Sequence, residues 1–233
     1  MIFFAQQLQK SYKQQQPLMF IFWDLKKAFD KVPRPAMWAV FVGFGCPEDF
    51  ILIRAFPDDM VGRVCHQSTL SDPFPIASGL KQGCVLAPTW FSLYMAAVPN
   101  KVSPRSPGIN LWYRMYGGLF NLTRFCAKSK TSIITAHKLQ FADDNATPAQ
   151  TIDDLRRIAA VCNVSYPHFG MEANTDKTKV LNQPSPGQTS SRTNVGINGE
   201  QMGEADYFSY LGSILSKTPT CAKDIENHIK GES

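Results

Sequence analysis

The sequence predicts an α+β domain with a mainly antiparallel sheet packed by helices. Strand-like and helix-like segments are interleaved along its 233 residues, and hairpin signals gather toward the C-terminal half. Hydrophobic residues make up 44% and aromatics 12%, enough for a real core. The length fits one large domain or two small ones, and no internal repeat is visible.

The elements follow in order. Residues 1–14 suit a short polar helix, with Phe4, Leu8 and Tyr12 on one face. The run Leu18 to Trp23 is continuously apolar between a proline and Asp24, the pattern of a strand buried on both faces. "PRPAMWAVFVGFG" reads as a short buried helix, with Pro35 in its first turn and Gly43 or Gly45 ending it. Residues 51–72 mix a helix end, a turn and a strand. "SGLKQGCVLAPTWFSLYMAAV" is a polar loop framed by Gly79 and Gly83, running into a helix apolar almost all round. Pro88 fits only near that helix's first turn. Residues 99–112 read as a loop or insertion. From Thr151, a plausible N-cap, an amphipathic helix lines up Ile152, Leu155, Ile158, Ala159 and Cys162. "KTKVL" looks like a strand, Asn198–Gly199 marks a hairpin, and "YFSYLGSIL" supplies another strand.

The formal charge of +5 and pI near 8.9 permit a polyanionic partner without demanding one. Six scattered cysteines, with no C-x-x-C pair, and four dispersed histidines argue against a zinc site and fit a reducing compartment. No signal peptide and no apolar stretch of the ~20 residues a membrane span needs are evident, so a soluble, intracellular chain is expected, nuclear or cytoplasmic.

The chemistry-bearing signal is acidic. Asp24 ends a buried strand, and "KLQFADDNAT" sets Asp143 and Asp144 between two strand-like runs. In a regular strand adjacent side chains point to opposite faces, but a tight turn breaks that alternation. Both carboxylates can then address one ion, Asp143 as principal ligand and Asp144 as the weaker one. Nucleotidyl transfer needs two divalent cations ~4 Å apart, held by hard oxygen ligands. Taken alone a doubled Asp says little; Asp58–Asp59 and Asp153–Asp154 are others, the latter at a helix start where acid favours the dipole.

In order, these segments resemble a reverse transcriptase domain of the non-LTR (LINE-type) retrotransposons. "FIFWDLKKAFDKVPR" resembles that family's first palm motif, "SGLKQGCVLAPTWFSLYM" its glycine/glutamine motif, and "FADD" its aromatic-Ala-Asp-Asp box. "GMEANTDKTKVL" resembles the lysine-bearing motif that follows, and "YLGSIL" the hairpin that grips the primer. "YRMYGGLFNLTRFCAKSK" is similar to the connection between the second and third motifs. The resemblance implies a polymerase palm-like fold over residues 1–233, with 214–233 beginning a thumb. It implies RNA-directed DNA polymerase activity on an RNA template, a DNA primer and deoxynucleoside triphosphates. Two Mg²⁺ ions, or Mn²⁺ in their place, would sit at Asp24, Asp143 and Asp144. It implies that Leu25, Phe29, Gln82, Gly83 and Lys177 line the nucleotide, with Phe29 screening the 2′ position and Lys177 facing the leaving pyrophosphate. Tyr210, Leu211 and Gly212 would form the primer grip.

Each has a plainer reading: Phe29 as core, Gln82 as a surface loop residue, Lys177 and Lys179 as a solvated strand edge. If both lysines lie on a strand they share a face and address one anion. Asp30 reads as structural, a cap for the following helix. Against the family pattern the chain opens just before the first palm motif and stops where a thumb helix begins, so a palm lacking most of fingers and thumb is expected. The rival expectation is a catalytically inactive retroelement-derived remnant, at most a nucleic-acid-binding module. An RNA-templated RNA polymerase is disfavoured by Phe29, whose ring would collide with a 2′ hydroxyl.

Overall fold

The computed structural model describes residues 17–47, 60–81, 83–102, 108–114, 131–185, 193–197, 199–217, 225–226 and 229. The helix expected over residues 1–14 and Gln82 lie outside the described residues.

The first elements are β1 (Leu18–Trp23) and α1 (Arg34–Gly43), followed by β2 (Val61–Gly62), β3 (Cys65–His66), β4 (Thr69–Leu70) and β5 (Phe74–Pro75). Next come α2 (Ala87–Val102), β6 (Ile109–Arg114), β7 (Thr131–Ala136), β8 (Leu139–Phe141), β9 (Asp144–Ala149) and α3 (Ile152–His168). The last are β10 (Lys179–Gln183), β11 (Gly196–Ile197), β12 (Glu200–Gln201), β13 (Gly203–Glu204), β14 (Tyr207–Tyr210) and β15 (Ser213–Ser216).

One five-stranded sheet, in the order β13-β10-β1-β9-β8, organises these elements. Its pairings are antiparallel except β10 with β13. β9 and β10 run in the same direction on either side of β1 and are joined through α3, a split β-α-β unit. All six residues of β1 are buried, as its unbroken apolar run requires. The alternation of the pleat divides them. Met19, Ile21 and Trp23 join the core built with the three helices, whereas Leu18, Phe20 and Phe22 join a second cluster. That second cluster is roofed by the β14–β15 hairpin, where Phe208 stacks on Phe22 with ring centroids 4.0 Å apart.

Helix starts and stops follow local chemistry. Thr151 caps α3 by accepting from the Asp154 backbone N–H, 3.1 Å, and Asp153 and Asp154 complement the dipole. Its buried face is Leu155, Ile158, Ala159, Cys162 and Tyr166. Pro35 sits in the first turn of α1, but the N-cap is Pro33 with no side-chain cap, so Asp30 does not cap it. In α2, Pro88 is the second residue, as expected, but burial is one-sided: Trp90, Phe91, Tyr94 and Met95 are buried, while Pro88, Thr89, Ser92 and Ala96 are exposed. The high apolar content of α2 reflects small and semi-polar residues on its open face rather than a helix enclosed all round. The loop expected over 99–112 is replaced at both ends, by the last turn of α2 and the start of β6. Pro148 stands in β9 beyond its last pair with β8, Leu139↔Ala146, where the strand has one neighbour and a missing N–H costs little. β11 does turn onto β12 as a hairpin with Gly199 in the connection, while Asn198 lies outside the described residues.

Arg34 fixes the loop before α2. Its buried guanidinium donates to the carbonyls of Gly79 (2.9 Å), Ile76 (2.7 Å) and Ser78 (3.3 Å). Gly79 N–H donates to Val32 O, and Leu80 N–H to Phe29 O, each at 2.9 Å. The loop thus lies directly on the segment that follows β1. No described helix is long and apolar enough to cross a membrane, and Cys46, Cys65, Cys84 and Cys162 are free thiols.

Gly79 has φ +83°, and a Cβ there would come within 2.6 Å of Asp30 O. Gly45, which ends α1 at φ +78°, faces open space. Gly45→Ala is expected to cost about 1–2 kcal/mol, the left-handed penalty alone. Gly79→Ala adds a backbone collision and is expected to cost about 3 kcal/mol or more. Urea unfolding of the two variants measures the difference, which vanishes if the Asp30 contact is not made.

Candidate active site

The carboxylates sit where β1 and β9 end together. The last ladder pair between these strands is Trp23↔Asn145, so Asp24 and Asp144 are the next residues across. Alternation places Asp144 on the side of Ala146 and Asp24 on the side of Phe22. Both therefore project from the face opposite the helices, at the edge of the β14–β15 roof.

A two-residue turn, Ala142–Asp143, joins β8 to β9, closed by the pair Phe141↔Asp144. Ala142 takes φ +52° and Asp143 does not take a positive φ, the pattern of a type II′ hairpin with alanine in the glycine position. The two aspartates are thereby made unequal. Asp143 belongs to the turn, and Asp144 opens the strand and shares its cross-strand position with Asp24.

Electrostatics agree with this placement. Asp144 holds its proton more firmly than a free carboxyl, from partial burial first, then from the charges of Asp143 and Asp24. Among the described residues none of the three carboxylates is paired with a lysine or arginine. Their oxygens are hard donors of the kind Mg²⁺ prefers, and an uncompensated negative cluster is what a dication relieves. The donor set fits such an ion. It is not a preassembled cage, since no three His, Cys, Asp or Glu side chains among the described residues are gathered to hold a metal.

The nearby lysines are distributed unevenly. Lys26 and Lys31 both donate to Glu172, at 2.6 and 2.7 Å. The two hydrogen bonds hold its carboxyl at about 2. Lys177 is exposed and lies in a turn, not on β10, because the chain loops out before the strand begins at Lys179. The strand alternation expected for Lys177 and Lys179 therefore does not hold. Lys179 instead lies over β13, its Nζ 2.8 Å from where a Gly203 Cβ would be.

Phe29 is half-buried and stacks on Phe91 of α2, centroids 4.3 Å apart. Leu25 is buried and bridges to Ala173. Gly83 is exposed at φ +86° with open space around it. Tyr210 is core: it packs on Phe22 and its hydroxyl donates to Leu139 O, 3.2 Å. Burial, and then the charge of Asp144, raise the pKa of that hydroxyl. Leu211 and Gly212, both at positive φ, form the tip of the hairpin.

Sequence reasoning missed a polar group beneath the acidic turn, on the helix side of the sheet. Asn145 Nδ2 donates to the hydroxyl of Tyr166, which lies edge-on to Trp23. Cys162 and the half-buried Lys138 adjoin it. Burial pushes the Cys162 thiol up to about 11 and pulls the Lys138 ammonium down to about 8. The only sequence signal was an asparagine out of place among the apolar positions of β9.

Comparison with known proteins matches residues 3–215 to the family described as "Reverse transcriptase (RNA-dependent DNA polymerase)". The RNA-directed DNA polymerase from mobile element jockey of Drosophila melanogaster is 23% identical over 206 residues, and that of Drosophila funebris 28%. The Pol polyprotein of the R2 retrotransposable element of Popillia japonica is 24% identical over 214 residues. Each alignment covers 88% of this chain, but only 20% of either jockey protein and 32% of the R2 protein. Among solved structures, telomerase from Candida tropicalis, truncated from its C-terminal domain, superposes with a TM-score of 0.51 at 15% identity. It covers 92% of this chain, which in turn spans 37% of that protein. The same telomerase in complex with a fragment of telomeric RNA gives 0.55 at 14%, with coverages of 93% and 31%.

Because the folded state binds the Asp144 proton more tightly than the unfolded chain, ionising this group destabilises the fold above its pKa, and the effect fades as pH falls through it. Asp144→Asn is therefore expected to raise Tm at pH 7 and to lose that advantage in acid. Thermal melts of both proteins across pH 3 to 8 check it; an equal or lower Tm for the variant at pH 7 would refute the repulsion.

Proposed function

The chain belongs to the reverse transcriptase family, of the non-LTR retrotransposon type, and on that premise we propose that it is the palm of an RNA-directed DNA polymerase. The reaction is template-directed addition of deoxynucleotides to a primer 3′ hydroxyl, with release of pyrophosphate. One observation carries this reading: β1 and β9, adjacent in the sheet, deliver Asp24 and Asp144 to the same end and face, with Asp143 in the connecting turn.

Asp24, Asp143 and Asp144 would hold Mg²⁺, with Mn²⁺ as the substitute ion. When bound there, the metal supplies charge stabilisation to the attacking hydroxyl and the leaving phosphate. The chain's own residues do the rest. Lys177, exposed beside the Asp24 strand end, neutralises the departing pyrophosphate and gives it a proton. The Phe29 ring, braced on Phe91, occupies the space a ribose 2′ hydroxyl needs. Gly83 belongs to the nucleotide-binding loop, where the missing side chain lets backbone approach substrate, and the family resemblance assigns Gln82 to the same nucleotide-binding role. Leu25 forms the floor beneath the nucleotide. The β14–β15 tip, Leu211–Gly212, borders the primer end, with Tyr210 anchoring it to the sheet. An RNA template fits the family and the RNA-bound telomerase among its structural neighbours.

Primer extension on an RNA template with deoxynucleotides and Mg²⁺ tests the proposal. Asp24→Ala and Asp143→Ala should each lower the rate by roughly a hundredfold or more, the loss typical when a preorganised charge is removed. Template binding with no extension by the unaltered chain overturns the polymerase reading. Phe29→Val should admit ribonucleotides roughly tenfold more readily, since the exclusion is steric; unchanged discrimination removes Phe29 from that role.

A further inference from the structure

The pairing of β1 with β10 is interrupted opposite Asp24. Phe22 faces Lys179, and Leu25 faces Ala173. One chain advances three residues between these pairs and the other advances six, so three extra residues bulge out of the ladder. Bulges re-aim side chains and end regular pairing, and they gather beside active sites.

This bulge is closed from within. Asp176 N–H donates to Asn174 Oδ1 at 3.2 Å, and Thr178 N–H donates to Asn174 O at 2.9 Å. It also takes up both backbone polar groups of Asp24. Asn174 N–H donates to Asp24 O at 2.8 Å, and Asp24 N–H donates to Thr178 Oγ1 at 3.3 Å. Thr178 is wholly buried, so its hydroxyl has no solvent alternative. A regular ladder would have offered Asp24 a backbone carbonyl; the bulge replaces that carbonyl with a side-chain oxygen.

We propose that Thr178 is a positioning residue: its buried hydroxyl, presented by the Asn174-closed bulge, fixes the backbone of Asp24 and so the direction of its carboxylate. Lys177 rides on the same bulge, so the hydroxyl that holds Asp24 and the ammonium beside it are adjacent in the chain. That Asp24 binds metal for catalysis rests on the polymerase reading above; the hold of Thr178 on the Asp24 amide does not.

The test uses the whole chain with Thr178→Val, which keeps the branched shape without the hydroxyl, and Thr178→Ser, which keeps the hydroxyl. Hydrogen exchange at the Asp24 amide should accelerate about fivefold to tenfold in Thr178→Val, the loss of one neutral hydrogen bond. Mg²⁺ affinity, followed by amide shifts of Asp24, Asp143 and Asp144, should weaken by roughly tenfold or more, as for other residues that orient a ligand. Extension should lose kcat with little change in KM, and Thr178→Ser should recover each quantity. Unchanged Asp24 exchange in Thr178→Val overturns the proposal. If that variant does not fold, Asn174→Ala loosens the same bulge from the surface and must accelerate the same amide. A slower Asp24 amide in the unaltered chain, with no extension, would uphold the role of Thr178 and defeat the polymerase reading; extension with unaltered exchange would do the reverse.

Discussion

β1 is hydrogen-bonded along both edges and buried on both faces, and Asp24, Asp144 and the β14–β15 hairpin are placed by reference to it. Its partners β9 and β10 come from more than a hundred residues further along the chain. On one side its odd-numbered residues meet the three helices, and on the other Phe20 and Phe22 meet the β14–β15 hairpin. Burying each such side chain contributes about 1.5–3 kcal/mol, so little freedom remains to slide the strand. Asp24 inherits that rigidity at one end, Asp144 receives it through the ladder, and the hairpin tip receives it through the stacking of Phe208 on Phe22.

The sites where charge collects show a division of labour. Lys26 and Lys31 stand close to Asp24 in sequence, yet both are engaged by Glu172 on the facing loop. This pairing ties the segment after β1 to the segment before the bulge, at the surface where such contacts are weak individually. Among the described residues the three aspartates have no ion pair with a lysine or arginine, and the charges of Asp143 and Asp24 bear on Asp144 in the folded chain. The fold bears that repulsion through packing beneath: Trp23, Tyr166 and Thr147 lie under the strand ends on the helix side.

How much was legible in the sequence depended on whether the signal was local. β1 could be read from an unbroken apolar run, and α3 from its cap and stripe. The turn at Asp143 could be read from the two strand-like runs around it. The open face of α2 was not legible, because alanine, serine and proline suit either burial or exposure. The bulge opposite Asp24 was invisible for a deeper reason. A bulge is a mismatch between two strands far apart in sequence, and "NTDKTKVL" alone looks like an approach to a strand. Lys177 was therefore assigned the geometry of a strand residue. The Asn145–Tyr166 bond was hidden in the same way, since it joins a strand to the helix that follows it across the sheet.

The hairpin at Ala142–Asp143 also makes spelling and shape interdependent. Asp144 and its neighbour Asn145 differ by one oxygen replaced with an NH₂, and the pleat sends them to opposite sides of the sheet. A shift of β9 by a single residue would undo this arrangement. In one direction Asn145 takes the place of Asp144, and the open face receives a neutral amide; in the other Asp144 takes the place of Asn145, and a carboxylate is driven under Tyr166 among buried groups. An insertion or deletion in this turn would thus cost either the charge beside Asp24 or the packing beneath the sheet. The tightness of the two-residue connection, with alanine held at a positive φ, serves as a reading-frame lock for the charge.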